Sequence, residues 1–193
     1  MKVLIINGSP RVNGNISQSC RIIGEFLRNK NIEVDTINTY SLNFRNCIGC
    51  MKCRSTNQCV LPKDDAHKFS EKLNDADAYI IASPTYWGNM SGQLKCLFER
   101  VVPTLMTENK YEFPVPLQKG KKAIILSACT TPFPFNYIFR QSRGCVAALK
   151  EILKYSGIRV VAKFIKSGTK KNKVLTEKEI KQLSKIAAKI QNP

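Results

Sequence analysis

The chain has 193 residues, 43% of them hydrophobic, with 31 Lys and Arg against 14 Asp and Glu for a net charge of +17. That length fits one domain over residues 1–193 with a core of useful size, and no apolar run approaches the roughly 20 residues a membrane helix needs. The opening MKVLIINGSP is too short for a signal-peptide core and lacks a cleavage pattern, so a cytoplasmic protein without a membrane partner is expected. Cationic residues run from Lys2 to Lys189 and are densest in Lys163–Lys189. None forms the aromatic-interleaved stretch of single-strand binders, so nucleic acid is not an expected partner. The excess reads either as a compositional habit on solvated helix faces or as a docking surface for an acidic partner.

Strands and helices alternate along the chain. Val3–Asn7 is a short apolar run that suits a strand buried on both faces, and Ile16, Cys20, Ile23 and Leu27 then recur at helical spacing. Ile32–Asn38 reads as a second strand, followed by a long irregular stretch at about 39–63 that carries four cysteines. Asp64 or Asp65 is placed to cap a helix striped by Ala66, Phe69, Leu73 and Ala76. Ala78–Ser83 is a third strand, and Leu94, Leu97, Phe98, Val101 and Leu105 stripe one helix after it. Ala123–Ala128 is a fourth strand, with an aromatic loop around Phe133–Phe135 and a helix through Val146, Leu149, Ile152 and Leu153 that stops at Gly157. Val160–Ile165 is the fifth strand. The last helix carries Ile180, Leu183, Ile186 and Ile190, with Thr176 and Glu179 set as a capping box. Such alternation predicts an α/β fold, a parallel sheet with right-handed crossovers and helices on both faces. Ligands of such sheets bind beyond the carboxyl ends of the strands, where the strand order reverses. The turns after strands one, three and four therefore matter most.

The first turn, Gly8-Ser9-Pro10-Arg11-Val12-Asn13-Gly14-Asn15-Ile16-Ser17, is neither GxGxxG nor a Gly-Lys-Ser phosphate loop. It still offers two glycines for close backbone approach, two hydroxyls, one Arg charge and the amides of a helix N-terminus, which suit a phosphate. NGSPRVNGNIS, together with SPTYWGNMSGQLKCLFER at Ser83–Arg100, resembles the NAD(P)H-dependent FMN reductase branch of the flavodoxin-like superfamily. The resemblance covers most of the first 105 residues and implies a flavodoxin-like, doubly wound five-stranded parallel sheet of order 2-1-3-4-5. It implies FMN as cofactor, the phosphate held by Ser9, Arg11, Asn15, Ile16 and Ser17, and a homo-oligomer.

Pro84, Thr85, Tyr86, Trp87, Gly88 and Asn89 end the third strand with a rigid proline, a hydroxyl, two aromatics and a glycine. A flavin ring needs a flat apolar wall and backbone donors, and this turn can supply both. Tyr86 and Trp87 could equally be core residues beside a buried strand. Ser127, Ala128, Cys129 and Thr130 are candidates for the other edge of the ring.

Eight cysteines are many for a cytoplasmic chain. Cys20, Cys96, Cys129 and Cys145 fall singly in apolar segments and read as small core residues. Cys47, Cys50, Cys53 and Cys59 follow C-x2-C-x2-C-x5-C, a set that can ligate zinc or the corners of a 4Fe-4S cluster. The motif is similar to that of iron-sulfur flavoproteins in the same superfamily. Flavin reductases without a reported cluster resemble this segment too, so a cluster, free or disulfide-bonded thiols and zinc all stay open. His67, the sole histidine, reads as a surface residue of its helix.

These features predict an FMN-dependent oxidoreductase that takes a hydride from NAD(P)H. Its electrons would pass to a quinone, a flavin, another small acceptor or an acidic redox protein. A non-enzymatic electron carrier is the alternative, and a zinc-containing binding module leaves both flavin turns unexplained.

Overall fold

The computed structural model describes residues 1–191. The elements, in chain order, are β1 (Lys2–Asn7), α1 (Asn15–Arg28), β2 (Glu33–Asn38), α2 (Cys53–Thr56), α3 (Asp65–Asp75) and β3 (Ala78–Pro84). They continue with α4 (Gly92–Arg100), α5 (Val102–Leu105), β4 (Met106–Glu108), β5 (Pro114–Pro116) and β6 (Lys122–Ala128). α6 (Phe135–Ile138), α7 (Gln141–Ser156), β7 (Arg159–Lys166) and α8 (Glu177–Ala187) complete them.

Five strands pair in parallel in the order β2-β1-β3-β6-β7. Counted along the main sheet this is 2-1-3-4-5, the flavodoxin-like order. Side chains alternate across each strand with period two, so each strand feeds two cores. Leu4, Ile6, Tyr79, Ile81, Ala123 and Ile125 pack on one face beneath α3, α4 and α7. Val3, Ile5, Ile80, Ile124 and Leu126 pack on the other beneath α1 and α8. Each fully buried Ile or Leu contributes roughly 1.5–3 kcal/mol relative to exposure. Both faces being covered explains why these strands are apolar runs rather than alternating ones.

Several expectations change in detail. The helix expected from Leu94 to Leu105 breaks at Val101 into α4 and α5. Pro103 lacks the N–H that would continue the ladder and its ring crowds the preceding turn. The antiparallel hairpin β4–β5 has no counterpart in the sequence expectations, because three-residue strands, one of them Pro-Val-Pro, carry no period. The 39–63 stretch is less irregular than expected, since a turn of 3-10 helix at Thr39–Ser41 and helix α2 lie within it. Ile180 is exposed rather than part of the buried stripe of α8, and Cys96 is only half-buried. Asp64, not Asp65, caps α3, and Thr176 with Glu179 forms the expected capping box on α8.

Candidate flavin site and cysteine loop

At the end of β1, the buried Asn7 side chain organises the first turn. Its Oδ1 accepts from the Ser9 N–H at 3.0 Å and its Nδ2 donates to Ser17 Oγ at 2.9 Å. Ser17 Oγ donates to the Arg11 carbonyl at 2.7 Å, and the Arg11 N–H donates to Ser9 Oγ at 3.2 Å. Both serine hydroxyls therefore shape the loop from buried positions, while Arg11 is exposed. Ile16 sits in the core, so it can offer a ligand its amide but not its side chain. Gly8 serves a closer neighbour than a phosphate: its N–H donates to the Ala82 carbonyl at 2.7 Å, and a Cβ there would lie 2.9 Å from that oxygen. Asn7 went unnoticed in the sequence. A polar residue ending a buried strand was its only signal.

Helix α1 starts at Gly14 with no side-chain cap and no acidic residue in its first turn. Its leading amides are left for solvent or an anion. Asn15 Oδ1 is buried without a hydrogen-bond partner, an acceptor that a hydroxyl-bearing ligand would satisfy.

Adjacent β3 ends in a tight turn. Tyr86 and Asn89 exchange backbone hydrogen bonds at 3.0 and 2.9 Å, and Trp87 and Gly88 between them both have positive φ, 51° and 73°. That is the pattern of a two-residue type I′ turn. The Asn89 N–H is occupied within the turn, which narrows the expected donors to Trp87 and Gly88. Trp87 is fully exposed and Tyr86 half-exposed, which rules out a core role for both. Thr85 ties the turn to β6 through the Ala128 carbonyl at 2.8 Å and Ser127 Oγ at 3.1 Å. Pro84, the last residue of β3, pairs opposite Ala128. Of the post-β6 candidates, Cys129 is buried and Thr130 exposed.

Helix α7 buttresses this turn from behind. A Cβ on Gly144 would lie 2.0 Å from the Gly88 carbonyl oxygen, so only glycine permits this approach. Trp87, Gly88, Phe139, Arg140, Gln141 and Gly144 line an open cavity of about 420 Å³. Neither Gly144 nor Phe139 was singled out from the sequence, since a lone Gly in a helix carries no pattern.

The four clustered cysteines are free thiols, Cys47 and Cys50 exposed, Cys53 and Cys59 half-buried. Among the described residues no three His, Cys, Asp or Glu side chains converge on a point a metal ion could take. The donor set has the chemistry of a thiolate-ligated centre, because all four thiols sit on one short segment. The Cys53 thiol is pushed up first by burial and then by the charges of Cys47, Cys59 and Cys50.

Both ends of this segment are gripped by one buried ion pair. Arg100, 2% exposed, donates from Nη1 to Asp64 Oδ2 at 2.7 Å and from Nη2 to Oδ1 at 3.1 Å. Nη1 also donates to the Arg45 carbonyl, and the Arg45 N–H donates to Asp64 Oδ2 at 3.2 Å. His67 is half-buried rather than on the surface, its Nδ1 bonding the Asp64 N–H at 3.1 Å and its Nε2 within 3.4 Å of the Cys59 carbonyl.

Burial pushes the Asp64 carboxyl up, but Arg100 and the Arg45 N–H outweigh it and hold the pKa at about 2, from 3.8. A folded-state pKa below the unfolded one stabilises above the unfolded value and is lost as pH falls through the folded one. Roughly 2 kcal/mol should therefore disappear between about pH 4 and pH 2. Urea midpoints across that range should fall more steeply in the parent than in Asp64→Asn; parallel curves would show that the carboxylate is not held this way.

The sequence pattern of the NADPH-dependent FMN reductase family matches residues 1–134. The chain belongs to that family. Its cofactor, FMN, fits an uncapped helix, an unpartnered buried acceptor and an exposed indole. An iron-sulfur flavoprotein of Methanocaldococcus jannaschii is 36% identical over 103 residues, 53% of this chain and 53% of that one. One of Methanosarcina thermophila is 36% identical over 102 residues, again 53% of each. The chain thus spans about half the length of the curated relatives it matches. Among solved structures, a Streptococcus mutans protein superposes over 100% of both chains with TM-score 0.77 at 23% identity. An NAD(P)H:quinone oxidoreductase from Methanothermobacter marburgensis does so over 100% of this chain and 98% of its own, with TM-score 0.78 at 17% identity. At these identities the structural likenesses establish the flavodoxin-like fold. No helix among the described residues is long and apolar enough to cross a membrane.

Proposed function

We propose that this member of the family takes a hydride from NAD(P)H and passes electrons to a quinone, a flavin, another small acceptor or a redox partner. One observation carries the reading: the uncapped N-terminus of α1 and the exposed Trp87 turn stand side by side, at the carboxyl ends of neighbouring strands β1 and β3. The strand order reverses there, which is where such sheets bind ligands. FMN, when bound, supplies the hydride and electron chemistry. The chain's own part is to hold and orient. Ser9 and Ser17 keep the first loop closed, Arg11 would add charge to hold the phosphate, and the Trp87 and Gly88 amides would supply donors to the flavin. The exposed Trp87 side chain would offer it an apolar wall.

Arg11→Ala should weaken FMN binding about tenfold and leave riboflavin binding unchanged, because riboflavin lacks the phosphate. Equal losses for both ligands would mean the phosphate sits elsewhere. In a second experiment, FMN-loaded protein mixed with NADH or NADPH without oxygen should lose its flavin absorbance. If it stays oxidised with both, the protein is an electron carrier reduced by another protein.

Cys47, Cys50, Cys53 and Cys59 are proposed as ligands of a 4Fe-4S cluster, supported by their donor chemistry and by the similarity to iron-sulfur flavoproteins over about half of their length. Such a centre would relay single electrons to a partner.

A further inference from the structure

Every loop that leaves a carboxyl end of the main sheet is free of acidic residues. Residues 8–14, 39–63, 85–91, 129–140 and 167–176 hold nine Lys and Arg and no Asp or Glu, so the ligand-binding edge draws anions toward it. Asp64, the first acid beyond the longest of these loops, is already paired with Arg100. Among the cations, Arg140 has a particular setting. It lines the cavity of about 420 Å³ beside the Trp87 turn, and its exposed guanidinium has no hydrogen bond, ion pair or ring contact among the described residues. Its backbone is left-handed at φ 60°, a region that non-glycine residues seldom adopt and that Asn tolerates best. Local backbone preference therefore does not explain an Arg here. Two exposed rings, Trp87 and Phe139, line the same cavity, and Phe139 stacks on Phe135 with centroids 6.2 Å apart. Flat apolar walls with one unpaired cation suit a planar ring that carries negative charge.

We propose that this cavity binds a planar aromatic anion, held by Arg140 against Trp87 and Phe139, and that a quinone bearing a sulfonate or carboxylate is the electron acceptor. This names the acceptor class for the hydride reading above and rests on it. The reaction balances as NAD(P)H, one proton and the quinone giving NAD(P)+ and the hydroquinone, the proton coming from solvent. Arg suits the role because its guanidinium can pair two N–H groups with two oxygens of the anion while its plane stacks on an aromatic ring. A neutral quinone would gain the aromatic contacts alone, and a cationic one would be repelled by the whole edge.

The test begins with calorimetric titration of FMN-loaded protein with two redox-inert probes, naphthalenesulfonate and the neutral naphthalenemethanol. The sulfonate should bind about fivefold more tightly at low salt, the upper end for an exposed charge pair, and added salt should erode that preference. Arg140→Asn should abolish the preference, and Arg140→Lys should retain most of it. Because Asn tolerates the left-handed backbone, the melting temperature of Arg140→Asn should not fall below the parent's, which separates lost recognition from lost folding. Lys170→Gln, on the same edge but outside the cavity, should keep the preference. Equal affinities in the parent, a preference that survives Arg140→Asn, or one that Lys170→Gln removes equally, overturns the site. Turnover then tests the acceptor. With NAD(P)H as donor, the kcat/KM ratio of naphthoquinone sulfonate to unsubstituted naphthoquinone should fall about fivefold in Arg140→Asn. An unchanged ratio overturns the acceptor assignment. If the parent prefers the sulfonate probe yet oxidises NAD(P)H with neither quinone, the hydride reading fails and takes the acceptor role with it, while the aromatic-anion site stands.

Discussion

Gly144→Ala should weaken FMN binding roughly tenfold to a hundredfold, equivalent to about 1.4–2.8 kcal/mol. Helix propensity alone predicts the opposite sign for stability, since Ala is better than Gly in a helix interior by roughly 1 kcal/mol. Geometry overrides propensity here. The new methyl would lie 2.0 Å from the Gly88 oxygen and 3.1 Å from its carbonyl carbon, both rigid backbone atoms. Either α7 retreats or the turn carrying Trp87 and Gly88 moves by more than an ångström. Overpacking of this kind typically costs 1–3 kcal/mol, and the turn, with only one hairpin and Thr85 holding it, is the part that yields. Gly92, with open space at its Cβ, is the stability control: Gly92→Ala should be neutral or mildly stabilising. Isothermal titration with FMN reads the first outcome and thermal melts the second. Parent-like FMN affinity in Gly144→Ala would mean that the Trp87 turn does not contact the flavin.

Asp64→Ala should cost about 3–5 kcal/mol of stability, the largest effect expected outside the two cores. Removing the carboxylate leaves the Arg100 guanidinium buried beside an acceptor it no longer has, and an unpaired buried charge carries that penalty. The same change deletes the N-cap of α3, worth about 1 kcal/mol, and frees the Arg45 N–H. For a chain of this size each kcal/mol moves the melting temperature by roughly 2–4 °C, so a fall on the order of 10 °C is expected. Lys68→Ala, which breaks only the exposed pair with Asp65, should stay within about 0.5 kcal/mol. A loss in Asp64→Ala no larger than in Lys68→Ala would show that Arg100 is not held in its buried pose by this carboxylate.

What could be read in the sequence was whatever depends on near neighbours. The apolar runs at Val3–Asn7, Ala78–Ser83 and Ala123–Ala128 are strands because residues at every position must be buried in a sheet covered on both faces. The Thr176 and Glu179 cap is a three-residue motif, visible without a fold. Alternation predicts a parallel sheet, the family resemblance implies its strand order, and that order stands in the structure. The flavin turns were legible as residue types, because glycine, hydroxyl and aromatic residues cluster within about ten positions.

Roles within those turns were decided only by tertiary structure. The Asn7 side chain bonds both the Ser9 N–H and the Ser17 hydroxyl, a link the sequence does not display. Sequence leaves Trp87 open as core or surface; its positive φ in a two-residue turn and its full exposure settle it as surface. Gly144 meets Gly88 across 56 positions and Arg100 meets Asp64 across 36, distances at which no period or spacing carries a signal. Periodicity reports which face of an element is buried. It is silent on which two faces meet, because that contact is set by the packing of whole helices against the sheet rather than by any local preference of the residues concerned.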